Sequence, residues 1–138
     1  MKNGTLVGSV QTKRLPLADK ENIILIADDD PAILDAMKMI LELYGFRVET
    51  IADGLIIPKL MTLKPKLLFL DICMSGVDGR DVCKEIKELD ATKDIPVVMV
   101  SASCDLIKTV KAAGADDYLA KPFEMQDLLS KVNKYLLN

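Results

Sequence analysis

The sequence predicts an α/β domain, a three-layer sandwich in which a parallel β-sheet lies between helices. Three observations predict it. Short apolar runs at Ile23–Ala27, Leu67–Leu70 and Ile95–Val100 are continuous, the pattern of strands covered on both faces. Between them lie stretches whose apolar residues recur at helical spacing. Half of the 138 residues are apolar, enough to bury one sizeable core and too many for a disordered chain.

The elements follow in order. Ile23–Ala27 is the first strand. The first helix is expected over Pro31–Tyr44, with Asp30 as cap, proline at its first position and Gly45 beyond its end. Ile33, Met37, Ile40, Leu41 and Tyr44 mark its apolar face. Phe46–Ile51 mixes charge with apolar residues and suits an edge strand. A proline breaks a helix running through Leu55–Leu60 but is accepted in a first turn, so a short second helix is expected from Pro58 to Lys64. The Leu55–Ile57 triplet before it either packs onto the sheet or forms an exposed docking patch. Leu67–Leu70 is the third strand, and the third helix covers Gly79–Leu89. Ile95–Val100 is the fourth strand, followed by a helix over Asp105–Ala113 that stops at Gly114. Asp117–Ala120 suits the other edge, and Glu124–Leu137 closes the chain as the fifth helix. Residues 1–20 contain Gly4, Gly8 and Pro16 and hold no period. They read as a flexible N-terminal arm or a cloning remnant ahead of a domain at 21–138.

Five strands alternate with five helices. Right-handed crossovers, with the second and fifth strands at the edges, select the sheet order 2-1-3-4-5, the flavodoxin-like (βα)5 arrangement. In that order the first and third strands are neighbours at the switch point, and ligands collect beyond their carboxyl ends.

Composition narrows the function. Eighteen basic and 21 acidic residues give a net charge of −3 with no basic block, which argues against direct nucleic-acid binding. The absence of His excludes a His-based metal site, a Ser-His triad and a phosphohistidine on this chain. Cys73, Cys83 and Cys104 are odd in number and lack CxxC spacing, so they read as reduced thiols of a cytoplasmic protein. No apolar run approaches the ~18–20 residues that span a bilayer, so no membrane association is expected.

The strand ends carry the chemistry. The first strand ends in Ala27-Asp28-Asp29-Asp30, the third in Asp71-Ile72-Cys73, the fourth in Ser101-Ala102-Ser103, and the fifth leads into Lys121-Pro122. Adjacent strands lie about 4.8 Å apart, so Asp28, Asp29 and Asp71 must crowd together. Like charges so close need a compensating cation. Mg²⁺ suits carboxylate oxygens completed by water and phosphate. Taken singly, each residue has an ordinary role: Asp30 as a helix cap, Asp28 and Asp29 as helix-terminus charges, Asp71 in a turn, Ser101 as a capping hydroxyl, Lys121 as a solvated lysine. Their placement along one rim is what those separate roles explain poorly.

The stretches Ile24–Pro31 (ILIADDDP), Leu67–Gly79 (LLFLDICMSGVDG), Pro96–Ala102 (PVVMVSA) and Ala112–Phe123 (AAGADDYLAKPF) resemble those of response-regulator receiver domains, over residues 21–138. The resemblance implies that Asp71 is the phosphoacceptor. It implies that Asp28, Asp29, Asp71 and the backbone carbonyl of Cys73 bind Mg²⁺, and that Ser101 and Lys121 hold phosphoryl oxygens. Tyr118 would be the aromatic switch beside Ser101, and Pro122 would follow a cis peptide bond. The implied function is a phosphorylation-controlled switch of two-component signalling, not an enzyme. It takes its phosphoryl group from a sensor histidine kinase or phosphotransfer protein and acts on a downstream protein through its helix 4–strand 5–helix 5 face. A monomer, or a weak dimer formed on phosphorylation, is implied.

The sequence departs from the family in places. Ser75 stands where many relatives carry Pro, and the spacing from Ser101 to Lys121 is about two residues tighter than usual, so the start of the fourth helix is expected to be trimmed. Neither Cys73 nor Ser103 is an acid, base or amide that aligns water, which implies slow self-hydrolysis of the phosphoprotein. The competing reading is a receiver-like interaction module that works without phosphorylation. A phosphohydrolase usually needs a second Asp where Cys73 stands, and a flavin site needs phosphate donors where this chain has three acids.

Overall fold

A computed structural model describes residues 22–74, 76–102 and 106–137. The expected arm at 1–20, Ser75, Ser103, Cys104 and the expected helix start at Asp105 lie outside the described residues.

The elements run β1 (Ile23–Ala27), α1 (Pro31–Leu43), β2 (Arg47–Ile51), α2 (Ile56–Leu63), β3 (Leu67–Asp71), a short hairpin of β4 (Cys73–Met74) and β5 (Val77–Asp78), α3 (Gly79–Glu88), β6 (Val97–Ser101), α4 (Leu106–Ala113), β7 (Asp117–Ala120) and α5 (Met125–Leu136). The main sheet is parallel in the order β2-β1-β3-β6-β7. Counted without the hairpin strands, this is the expected 2-1-3-4-5.

The continuous apolar runs divide between two cores because successive side chains of a strand point to opposite faces. Leu25, Ala27, Leu68, Leu70, Val97 and Met99 face Ile56 and Leu60 of α2, Cys83 and Ile86 of α3, and Leu106 and Val110 of α4. Ile24, Ile26, Leu67, Phe69, Val98 and Val100 face Leu34, Met37 and Leu41 of α1, with Leu128 and Val132 of α5. Strands covered on both sides have no room for polar residues until they emerge at the rim.

Three expectations need correction, and of the two readings of the Leu55–Ile57 triplet the packed one holds for two of its residues. Tyr44 is not on the buried face of α1 but is its exposed C-cap, while Leu34 is buried. Helix α2 starts at Ile56, two residues before the expected start, with Pro58 third in the helix. The first N–H groups of a helix have no partner within it, so proline there sacrifices no bond. Of the Leu55–Ile57 triplet, Ile56 is fully buried, Ile57 packs against the core and only Leu55 is exposed, which leaves no apolar patch of three residues. Strand β6 starts at Val97, not Ile95, because Pro96 has no N–H for the ladder and sits at the strand's entry. The fifth helix carries a capping box that the sequence reading did not anticipate: Glu124 accepts from the N3 backbone and Asp127 Oδ2 from the Glu124 N–H at 3.0 Å.

Candidate functional site at the strand ends

Register decides which side chains meet. Ala27 of β1 pairs with Leu70 of β3, so Asp28 and Asp71 leave the sheet on the same rung. Both are buried, Asp29 is half-buried, and these three carboxylates place one oxygen each within 4.8 Å of one another. Asp30 turns away: its Oδ1 accepts the Ala32 N–H at 2.9 Å and caps α1. Asp28 Oδ1 in turn accepts the Asp30 N–H at 2.9 Å, which aims its other oxygen at the site.

The far side of the hollow comes from β6 and β7. Ser101 is buried at the end of β6 and pairs in register with Ala120. The Lys121 N–H donates to the Ser101 carbonyl at 2.8 Å, and the Lys121–Pro122 peptide bond is cis. Lys121 Nζ reaches across to Asp28 Oδ2 at 3.0 Å and Asp71 Oδ1 at 3.7 Å. Tyr118, half-buried on β7, packs against the core under α4, and the Lys131 ammonium lies 5.3 Å from its ring centroid.

The near side is the β4–β5 hairpin, which periodicity could not announce because its strands are two residues long. Cys73, exposed, begins it, and its N–H donates to Asp71 Oδ1 at 3.3 Å. Gly79 closes the loop by donating its N–H to the Ile72 carbonyl at 2.8 Å. The rest of the rim is brought together as the strand order requires: Asp28, Asp29, Asp71 and Lys121 converge, with Ser101 beside them.

Charge is out of balance there. Burial, then the neighbouring Asp28 charge, pushes the Asp71 carboxyl up to about 6, against the opposing pull of Lys121. Burial also works against the Lys121 ammonium, but its hydrogen bond to Asp28 and the Asp71 charge hold it above the ordinary lysine value. Lys121 pairs with two of the three clustered carboxylates, Asp28 and Asp71, and the donor set is all hard oxygen. That combination fits a small divalent cation such as Mg²⁺. Cys83, by contrast, is a buried core thiol that burial pushes up to about 11, so it is inert.

Comparison with known proteins agrees with the geometry. The family model for the response regulator receiver domain matches residues 24–133. The DNA-binding dual master transcriptional regulator RpaA of Synechocystis is 40% identical over 116 residues, which are 82% of this chain and 48% of that protein. The chain thus spans about half the length of the curated relatives it matches. A putative response regulator from Chloroflexus aurantiacus superposes with a TM-score of 0.78 at 32% identity, covering 85% of this chain and 98% of that one. The receiver domain of the sensor histidine kinase PA1611 from Pseudomonas aeruginosa, described with a magnesium ion coordinated in its active-site cleft, shares the fold with a TM-score of 0.76. It is 24% identical, with 85% of this chain and 98% of that one covered. No helix among the described residues is long and apolar enough to cross a membrane. Sheet order, rim chemistry and a family match over most of the chain lead to one conclusion: this chain belongs to the response-regulator receiver domains of two-component systems.

Proposed function

We propose that Asp71 accepts a phosphoryl group from the phosphohistidine of a sensor kinase or phosphotransfer protein in a Mg²⁺-dependent step, and that this switches the α4–β7–α5 face toward a protein partner. The observation that carries the reading is the meeting of Asp28, Asp29 and Asp71, two of which Lys121 also reaches. An Asp71 carboxylate oxygen attacks phosphorus in line, a C–O–P linkage forms, and the donor's N–P bond breaks, its electron pair staying on the imidazole nitrogen. Asp28, Asp29, Asp71 and the Cys73 carbonyl are the residues that would hold Mg²⁺. Bound there, the ion would neutralise charge on the equatorial oxygens. Lys121 pairs with one phosphoryl oxygen and Ser101 donates its hydroxyl to another. Tyr118 then follows Ser101 inward, a shift between two packings biased by new local charge.

The magnesium in the PA1611 domain supports the choice of ion. RpaA is named a DNA-binding regulator; for the domain described here the proposal assigns a protein partner, because its sequence holds no basic block. Cys73 and Ser103, neither of them an acid, base or amide that would align an attacking water, favour a long-lived phosphoprotein in a cytoplasmic switch.

Incubation with MgCl₂ and a small acyl phosphate, followed by intact-mass measurement, tests the reading. The expected result is one added phosphoryl group, absent with Asp71→Asn and absent with a chelator. Normal labelling of the Asp71→Asn protein overturns the acceptor assignment. A wild-type protein that never labels favours the phosphorylation-independent module instead.

A further inference from the structure

The β4–β5 hairpin forms the wall of the acidic hollow that carries Cys73, and two rungs give it little rigidity of its own. Its position must come from what it packs against. At one end lies Gly79, where a Cβ would stand 2.5 Å from the Asp71 carbonyl oxygen and 2.8 Å from the Ile72 Cα. At the other end is Gly54, in the loop between β2 and α2. A Cβ on Gly54 would overlap the Cγ2 methyl of Val77. Among the described glycines the left-handed backbone belongs to Gly45, Gly76 and Gly114. Gly54 is therefore glycine for space, not for conformation.

The two contacts differ in kind. The neighbours of Gly79 are backbone, which cannot yield without moving Asp71 itself. The neighbour of Gly54 is the methyl of a stiff β-branched side chain, half-buried against the α2–α3–α4 core. Val77 pairs with Met74, and Asp78 with Cys73, so any push on Val77 passes across one rung to the backbone of Cys73.

We propose that Gly54 is a positioning residue for the cation site: the gap it leaves seats Val77, and Val77 seats the hairpin that presents the Cys73 carbonyl. The proposal rests on the reading above in which that carbonyl completes the Mg²⁺ donor set. A supporting contact of this kind typically changes metal affinity about tenfold or more.

Calorimetric titration with MgCl₂, without any phosphodonor, tests it on the whole chain as wild type, Gly54→Ala, Val77→Ala and the double variant. Melting curves with Mg²⁺ and with a chelator accompany it. The expected result is a Kd weakened about tenfold in Gly54→Ala and restored in the double variant to within about threefold of Val77→Ala. The Mg²⁺-induced rise in Tm should shrink and recover in parallel, whereas a merely structural role would lower Tm equally in both buffers and leave that rise unchanged. If Gly54→Ala does not fold, Val77→Ile loads the same contact from the other side and should weaken Mg²⁺ binding likewise. Unchanged affinity in the folded variant, or no recovery in the double variant, overturns the proposal while wild-type binding keeps the site reading intact. A wild-type protein that takes up no Mg²⁺ overturns both.

Discussion

Asp71 and Asp117 are both buried at strand ends, at opposite ends of the parallel sheet, and their surroundings drive them in opposite directions. Asp117, first residue of β7, accepts from Lys131 Nζ at 2.9 Å, Lys134 Nζ at 3.0 Å, the Tyr135 hydroxyl at 3.1 Å and the Tyr118 N–H at 2.8 Å. Burial works against its charge, but these donors outweigh it and hold the carboxyl down at about 2. Among the described residues Asp71, last residue of β3, has longer contacts, 3.3 Å to the Cys73 N–H and 3.7 Å to Lys121, and two carboxylates for company. Burial of an acid is common to both. What separates a closed structural anchor from a site open to a cation is the ratio of carboxylates to donors.

The comparison can be broken by neutralising each acid in turn. Asp117→Asn should cost about 2 kcal/mol of stability, read as a lower urea midpoint, since a pKa unit corresponds to about 1.4 kcal/mol. Asp71→Asn should have the opposite sign, raising stability in chelator by about 1–2 kcal/mol and abolishing the gain from added Mg²⁺. If both substitutions destabilise, the contrast fails.

Acid titration of the wild type in chelator sharpens it. A carboxyl raised to about 6 binds its proton more tightly in the folded state. Its contribution therefore strengthens as pH falls from about 6 toward 4, the folded state taking up the proton first. A carboxyl lowered to about 2 contributes stability that is fully present above about 4 and is lost as pH falls toward 2. The urea midpoint should pass through a maximum near pH 4, and Asp117→Asn should flatten only the acid side. The smallest effect belongs to Lys134→Ala: that side chain is largely exposed and Lys131 still holds Asp117, so Tm should move by about a degree or two.

Much of the fold was legible because its signals are local. Buried parallel strands read as unbroken apolar runs, and Asp30, Pro31 and Gly45 bracket α1 within a few residues. The rim was legible for the same reason, since Asp28, Asp71, Ser101 and Lys121 each lie where an apolar run stops. Less was legible where the deciding partner is distant. The start of α2 depended on how far a proline can enter a first turn, and the β4–β5 hairpin was too short to show a period. The lysines that saturate Asp117 lie 14 and 17 residues along the chain and reach it only because α5 packs on β7.

By itself the sequence determined the order of the five main strands and five helices and the acids along one edge, because helix caps, turn residues and apolar runs act over a few neighbouring positions. Only the tertiary structure decided that Asp71 is crowded by carboxylates while Asp117, at the opposite end of the sheet, is surrounded by donors. Coulomb energy and desolvation sum over everything near in space, and which groups become near is settled by packing, not by their spacing along the chain.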